Sequence, residues 1–367
     1  MTAKLFSPMT VGGLELPNRI AVAPMCQYSA DDGSATDWHL QHWMNLGMSG
    51  AGMVTLEMTD VERRGRISHG CIGLYSDHNE AAMKRALDAA RAVALPGTKF
   101  GPQLAHAGRK ASTQLPWHGG GPLSADEDAW QTVSASAIPF TEGWHTPRAL
   151  EDAEVEAMID RFEQAAIRAR NVGFDFIELH GAHGYLFHQF LSPFSNKRTD
   201  RWGGSLENRM RFLVETTRRI RATVPELMLG VRLSVSEWEE GGFSLDEAVE
   251  VVKALKDLGV GYVCCSSGGN VLTDKIPVGP GYQVHLATAI RERTGMTVRA
   301  VGMITEPRQA EDILAEDKAD IVALARAFQV DPRWPWRAAA ALGAELQTPP
   351  QVGRAIPLLK RWEERRG

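Results

Sequence analysis

Eight short runs of apolar and β-branched residues recur along the chain, and segments with helical periodicity separate them. Runs this continuously apolar predict strands covered on both faces, as in a parallel sheet, because half-exposed strands alternate apolar and polar residues. The repeat predicts an α/β fold, and eight units favour closure into a (β/α)8 TIM barrel, with an open doubly wound sheet as the alternative. The predicted strands are residues 19–25, 52–58, 99–105, 174–180, 228–234, 261–267, 297–303 and 319–326.

Polar capping residues indicate where several of the intervening helices begin. Asp77, Ser244 and Thr305 each precede a segment with helical periodicity, and such side chains accept hydrogen bonds from the first backbone N–H groups. Gly259 predicts the end of the helix that follows Ser244, and Pro307 suits a first helical turn.

Two segments depart from the repeat. Residues 5–19 predict an N-terminal β-hairpin that turns at Gly12-Gly13 and plugs the lower end of the barrel. Residues 107–148, after the third strand, lack periodicity, and a loop this long is usually functional. We expect it to cover the C-terminal mouth of the barrel as a lid that carries Trp117, Trp130 and Trp144. Since no linker divides the chain, residues 1–367 are expected to form a single domain.

Composition restricts the classes of partner. The net charge of −5 and the pI near 6.1 provide no basic field for nucleic acid. The chain shows no signal peptide and no run of about 18 apolar residues, so a cytoplasmic protein without a membrane partner is expected. The four cysteines, Cys26, Cys71, Cys264 and Cys265, are expected to be reduced thiols. No Gly-x-Gly-x-x-Gly or Walker motif occurs, so any nucleotide must be held in another way.

Polar and titratable residues concentrate where the predicted strands end. In a TIM barrel these positions meet at one mouth, where the active site forms. They are Pro24, Met25, Cys26 and Tyr28, Met58 and Thr59, Gln103 and His106, His180, His183 and Tyr185, Arg232, residues 266–269, Gly302 and Met303, and Arg326.

The two histidines after the fourth strand allow three interpretations. A zinc site would need a third protein ligand and an open position. The imidazoles could instead be structural and bond to neighbouring groups. In the third interpretation His180 and His183 donate two N–H groups to one substrate oxygen and polarise it, while Tyr185, protonated at neutral pH, donates a proton.

The last two strands predict a phosphate site, because the loops that follow them in TIM barrels often bind phosphate through backbone N–H groups. Gly302 and Arg326 suit this role, although such an arginine can also bond a carbonyl or an acidic neighbour.

Taken in order, these motifs resemble the old yellow enzymes, which are FMN-dependent ene-reductases. The resemblance covers essentially the whole chain. In detail, the chain is similar to the subgroup that contains xenobiotic reductase A and the thermophilic-like members. It is carried by LFSPMTVGGLELPNRIAVAPMCQYS, QLAHAGRKAS, LHGAHGYLFHQFLSPFSNKRTDRWGGSLENR, AVGMI and ARAFQVDP.

The resemblance implies how a substrate would be bound and reduced. NAD(P)H, either NADPH or NADH, would reduce a non-covalently bound FMN, and an activated alkene would then replace the nicotinamide. His180 and His183 would bind the carbonyl or nitro oxygen, flavin N5 would deliver hydride to the β-carbon, and Tyr185 would protonate the α-carbon. Tyr28 would help to hold the substrate.

The same resemblance implies the cofactor contacts. Gln103 and Arg232 would contact the pyrimidine edge of the flavin, Arg232 stabilising negative charge near N1, and Cys26 would tune the flavin potential. The other implied cofactor-binding positions are Pro24, Met25, Met58, Gly302, Ala325 and Arg326.

Some positions depart from the family pattern. Relatives usually have alanine where Met58 stands and glycine where Ala325 stands, and a Cβ beside the phosphate could crowd its approach to backbone N–H groups. We expect a homodimer or homotetramer in which Arg361 or Trp362 could enter a neighbouring site, although this terminus could also be a solvated helix end. A metal-dependent TIM-barrel hydrolase and a non-catalytic barrel binding module are the alternatives from other functional classes.

Overall fold

The computed structural model describes residues 3–365, and its centre is a closed barrel of eight parallel strands. The barrel order is β10-β11-β12-β3-β4-β5-β8-β9. Pairing of β12 with β3, with Val322 opposite Ile20, closes the barrel and excludes the open sheet. The strands are β1 (Met9–Val11), β2 (Leu14–Leu16), β3 (Ile20–Val22), β4 (Met53–Asp60), β5 (Lys99–Ala105), β6 (Val133–Ser134), β7 (Arg148–Ala149), β8 (Phe176–Gly181), β9 (Met228–Ser234), β10 (Tyr262–Ser266), β11 (Val298–Ala300) and β12 (Ile321–Leu324).

At least one helix follows each barrel strand, which confirms the predicted β/α repeat. Thr36, Ser76, Ser205 and Ser244 cap four of these helices at their N-termini. The helices are α1 (Asp37–Gly47), α2 (Asp77–Val93), α3 (Asp152–Val172), α4 (Leu186–Leu191), α5 (Leu206–Thr223), α6 (Leu245–Asp257), α7 (Val284–Thr294), α8 (Pro307–Ala315), α9 (Arg326–Val330), α10 (Trp334–Ala341) and α11 (Ile356–Glu364).

Of the three predicted helix caps, one is confirmed and two are wrong by one residue. Ser244 accepts the N–H of Glu247, as expected. Ser76 rather than Asp77 caps α2, because the Ser76 hydroxyl is the group that accepts the Asn79 N–H, and Asp77 is already helical. The cap of α8 is Glu306 rather than Thr305, and Pro307 takes the first helical position.

Six of the eight barrel strands differ in length from their predictions, and three of them show a physical reason. β3 ends at Val22, close to Pro24, which has no N–H to donate to a neighbouring strand. β11 ends at Ala300 because Gly302 and Met303 have φ of 124° and 49°, which is incompatible with an extended strand. β4 continues to Asp60 through an irregularity at Glu57, where Leu56 pairs with Pro102 and Met58 with Gln103.

The N-terminal hairpin closes the lower end of the barrel, as predicted. β1 and β2 are antiparallel, and Gly12 and Gly13 turn between them with φ of 53° and 84°. Val11 and Leu16 are buried in one cluster with residues that begin barrel strands, including Phe176, Met228 and Tyr262.

The barrel interior contains a buried network of charged and polar side chains. Arg299 of β11 and Glu178 of β8 form an ion pair in which both side chains are fully buried. The Tyr262 hydroxyl donates to Glu178 at 2.7 Å, and Arg299 donates to Thr55 Oγ1 at 2.8 Å. These bonds satisfy charges that would otherwise be costly to bury.

The connection over residues 107–148 is ordered by short elements. It contains 3-10 helices at Gly108–Lys110, Pro116–His118 and Ala125–Glu127, and β6 pairs with β7 near its end. The Trp130 indole donates to the Arg64 carbonyl at 2.9 Å. The function of residues 107–148 as a lid stays a prediction.

The cysteines are free thiols. Cys264 points into the barrel and Cys265 into the layer between strands and helices, as expected for neighbours on a strand. Within residues 3–365 we find no helix that combines the length and apolar character required to cross a membrane.

Candidate active site

Two histidine rings lie together at the carboxyl end of β8. His180 is in the strand, and His183 lies just beyond it with φ of 60°. The rings are nearly perpendicular, and Nδ1 of His183 is 3.3 Å from Nε2 of His180. Both nitrogens can therefore contact one ligand atom, which the third interpretation of this pair requires.

A hydrogen bond from the backbone determines the tautomer of the His180 ring. The N–H of Ala182 donates to Nδ1 of His180 at 3.2 Å, so the proton of the neutral ring is on Nε2, the nitrogen that faces His183. Burial, together with the charge of Arg232, lowers the pKa of both histidines well below the usual value. Neutral imidazoles are thus favoured at neutral pH.

The backbone of His183 is held by the end of β9 and by the loop after β5. Its N–H donates to the Ser234 hydroxyl at 3.0 Å, and its carbonyl accepts from Lys110 at 2.9 Å. A Cβ on Gly184 would lie 2.3 Å from the carbonyl oxygen of Gly269, which shows how tightly this turn packs on the loop after β10. The rare positive φ of His183 is stabilised by these neighbours.

Tyr185 lies next to the histidines at the start of α4. Its ring is perpendicular to that of His180, with centroids 4.9 Å apart. Burial raises the pKa of Tyr185 well above its usual value, so the phenol retains its proton. The Lys110 ammonium lies 5.4 Å from the centroid of the Tyr185 ring and donates to the carbonyl of Gly269.

An apolar wall forms beside Tyr185 from the ends of the first two barrel strands. Met58, fully buried, packs in one cluster with Cys26, Tyr28 and Tyr185. Burial raises the pKa of Cys26 well above its usual value, so the thiol stays protonated. Pro24 and Met25, which precede Cys26, are half-buried.

Gln103 and Arg232 present groups that suit the edge of an isoalloxazine. The Gln103 amide donates to Glu178 at 2.8 Å, which directs its nitrogen to the barrel interior and fixes the orientation of its oxygen. Arg232 of β9 lies opposite His180 of β8 in the parallel pairing of these strands. The Nε of Arg232 is buried without a hydrogen-bond partner among the described residues. Buried donors are usually paired, so this atom suits a bond to a polar ligand.

Gly302, Ala325 and Arg326 mark the ends of β11 and β12. Gly302 has φ of 124°, and a Cβ there would lie 2.8 Å from the Gln283 amide nitrogen. A side chain at this position would therefore collide with Gln283, and the positive φ also favours glycine. Ala325 has a negative φ of −109°, and Arg326 is exposed.

The remaining sequence-based candidate lies elsewhere. Arg361 and Trp362 are exposed on α11, a helix that packs against α10. Their entry into a neighbouring subunit stays a prediction.

Three residues near the mouth were not singled out from the sequence. Lys110 and Asp60 are charged residues beside the ends of β5 and β4, and Glu178 lies within an apolar strand. Neither carboxylate oxygen of Asp60 has a hydrogen-bond partner in the part of the chain that the structure describes. A charged residue inside an apolar run, or within a few residues of its end, is the signal that could have identified Lys110, Asp60 and Glu178.

No group of three or more histidine, cysteine, aspartate or glutamate side chains within residues 3–365 is arranged to hold a metal ion.

Comparisons with known proteins identify the family of this chain. The profile of the NADH:flavin oxidoreductase / NADH oxidase family matches residues 4–345. An NADPH dehydrogenase of Halalkalibacterium halodurans is 41% identical over 357 residues, which cover 97% of this chain and 99% of the relative. An NADPH dehydrogenase of Bacillus subtilis is 39% identical over 356 residues, covering 96% and 99%.

Solved structures extend the likeness to the fold. Morphinone reductase superposes with a TM-score of 0.76 at 28% identity, over 96% of this chain and 93% of its own. The complex of 2-naphthoyl-CoA reductase with 2-naphthoyl-CoA gives a TM-score of 0.82 at 25% identity, over 94% of this chain. This chain spans 53% of the length of that reductase.

Proposed function

Because this chain belongs to the NADH:flavin oxidoreductase / NADH oxidase family, we propose that it reduces activated alkenes such as enones, enals, maleimides and nitroalkenes. The chain is an oxidoreductase with FMN as cofactor and NAD(P)H as reductant, and the resemblance to the old yellow enzymes is confirmed. The alkene classes and the roles of individual residues are the proposed part.

The residues at the mouth fit FMN. Bound FMN supplies the hydride chemistry, which links a nicotinamide to an alkene in two half-reactions. Gln103 would accept from, and Arg232 donate to, the pyrimidine edge. The apolar wall of Met25, Cys26 and Met58 would exclude water from the ring. Gly302 and Arg326 would hold the phosphate, one by its backbone N–H group and the other by its charge.

The substrate oxygen would be held by the histidine pair. This proposal is carried by one observation: two imidazoles present ring nitrogens 3.3 Å apart. Burial lowers the pKa of both rings, which favours their neutral forms. An oxygen bonded to both nitrogens withdraws electrons from a conjugated alkene and makes its β-carbon electrophilic. Without such bonds the alkene is a poor hydride acceptor.

Tyr185 would protonate the α-carbon. Its phenol is protonated at neutral pH, it lies 4.9 Å from the His180 ring, and it belongs to the same cluster as Cys26 and Tyr28. The neighbouring Lys110 ammonium would stabilise the phenolate that remains after proton transfer.

The names of the curated relatives favour NADPH as the reductant. We expect purified protein to be yellow, or to regain flavin absorbance when FMN is added. Stopped-flow reduction by NADPH and NADH, followed by reoxidation with 2-cyclohexenone, maleimides and nitroalkenes, tests both half-reactions. A protein that binds no FMN, or zinc-dependent esterase or amidase turnover without flavin, would contradict the proposal.

A further inference from the structure

A hydrogen-bond chain continues behind His183, on the side away from His180. Ser266 is the last residue of β10 and is buried. Its hydroxyl oxygen lies 2.7 Å from Nε2 of His183 and 3.4 Å from Oε1 of Gln283. Ser266 is therefore in contact with the ring nitrogen of His183 that does not face His180.

The hydroxyl proton of Ser266 has two possible acceptors, and the geometry favours one. Gln283 is fixed by its own bonds, since its nitrogen donates to the Val301 carbonyl at 3.0 Å and its oxygen accepts from the Ser267 hydroxyl at 2.6 Å. The oxygen of Gln283 thus already has a close donor. Nε2 of His183 is the nearer acceptor for Ser266, and a distance of 2.7 Å is typical of a strong bond to a hydroxyl.

We propose that Ser266 is a positioning residue that donates to Nε2 of His183 and so places the proton of that ring on Nδ1, beside Nε2–H of His180. The inference rests on the proposed function, in which this pair binds an oxygen. If His183 carried its proton on Nε2, its Nδ1 would accept from His180, and neither ring would have an N–H to offer a ligand. The two tautomers hold the same number of protons and exchange through water.

This arrangement makes the pair selective for an electron-rich oxygen. Two N–H groups on nitrogens 3.3 Å apart repel each other unless an acceptor lies beside both. A carbonyl, nitro or phenolate oxygen satisfies both donors, whereas a ligand that only donates satisfies neither. Ser266 thereby prevents a hydrogen bond between the two histidines, so both N–H groups can donate to the oxygen of a ligand.

The tautomer of His183 can be measured without turnover. We would label the FMN-loaded, oxidised protein with [15N]histidine and distinguish protonated from unprotonated ring nitrogens by NMR chemical shift, with and without 4-nitrophenolate. In the wild type, bound 4-nitrophenolate should leave Nε2 of His180 and Nδ1 of His183 both protonated. Ser266→Ala should lose the Nδ1 proton preference of His183 and bind 4-nitrophenolate about tenfold more weakly, the effect of one lost hydrogen bond to a charged group.

Matched variants separate this role from packing. Ser266→Thr keeps a hydroxyl and should restore the wild-type spectrum. Ser267→Ala leaves the Gln283 oxygen without its close donor, so Ser266 can donate to Gln283 instead and the Nδ1 proton preference of His183 should weaken. If Ser266→Ala does not fold, Ser266→Cys, a weak donor of similar size, should show the same loss. A wild-type tautomer and affinity in Ser266→Ala or Ser266→Cys would overturn the inference alone, whereas wild-type histidine signals that do not respond to 4-nitrophenolate would overturn the proposed histidine site itself.

Discussion

Tyr185 is the residue whose replacement should separate the two half-reactions. Tyr185→Phe removes the phenolic proton but keeps the ring that packs near His180 and Cys26. We expect reoxidation of the reduced enzyme by 2-cyclohexenone to slow by about 10²–10⁴-fold, the usual contribution of a positioned general acid. Reduction by NADPH should be unchanged. Stopped-flow absorbance measures both rates, and an equal loss in both would contradict a role in proton donation.

Lys110 should give the alkene half-reaction a pH dependence. Burial, reinforced by the charge of Arg109, lowers the pKa of Lys110 to about 8. The lysine is therefore a cation below pH 8 and neutral above it, and a neutral amine cannot stabilise the phenolate of Tyr185. We expect the rate of reoxidation by 2-cyclohexenone to fall as the pH rises through about 8.

Variants of Lys110 test this assignment. Lys110→Met should be slower by roughly tenfold at pH 7, corresponding to ~1.4 kcal/mol, and should lack the decline near pH 8. Lys110→Arg keeps the charge and should move the decline to higher pH. A decline that persists unchanged in Lys110→Met would assign it to another group.

At the scale of the element, the N-terminal hairpin allows a matched pair of substitutions. Gly12 and Gly13 both have positive φ, but only at Gly12 would a Cβ meet other atoms, with Gly261 Cα at 2.9 Å. Gly13→Ala should therefore cost only the strain of the left-handed backbone, about 1 kcal/mol. Gly12→Ala should lower the free energy of unfolding by at least about 1 kcal/mol more, because the hairpin must move away from the barrel.

Urea unfolding followed by circular dichroism measures both variants. Equal losses would mean that the hairpin is not pressed against the barrel at Gly12.

Strand prediction gave both ends correctly for two of the eight barrel strands. The predictions for 99–105 and 228–234 agree with β5 and β9 at both ends, because barrel strands are buried on both faces and their composition reflects it. Prediction failed at strand ends governed by backbone geometry. The irregularity at Glu57 extends β4 to Asp60, and nothing in the residue types at 57–60 specifies it.

The same limit applied to the site. Its first contacts could be predicted, since His180, Tyr185 and Arg232 follow strands that must converge. The contacts that hold the site could not be predicted, because they join segments far apart in the sequence. Lys110 and Ser266 contact His183, and Glu178 contacts Gln103, although Ser266 itself was among the strand-end residues listed from the sequence.

For the whole molecule, the ion pair of Glu178 and Arg299 links barrel stability to Gln103, the proposed flavin contact. Arg299→Met would leave a buried carboxylate without its cation, so we expect the free energy of unfolding to fall by about 3–5 kcal/mol. Affinity for FMN should fall as well, because Glu178 orients Gln103.

The double variant Glu178→Gln with Arg299→Met removes both charges and should recover much of the lost stability, since most of the penalty comes from the charge that remains. Urea unfolding and FMN fluorescence titration measure the two effects. A double variant no more stable than Arg299→Met alone would contradict this account.

The pairing of β12 with β3 has a consequence for biosynthesis. Ile20 and Val322 are neighbours in the barrel although about 300 residues of chain separate them, so the ring stays open until the ribosome has released the last strand. Until then β3 and β11 present unpaired backbone edges, which favour aggregation. Translation arrested before Ile321 should therefore yield insoluble, colourless chains, and the yellow of bound flavin should report completion of the ring.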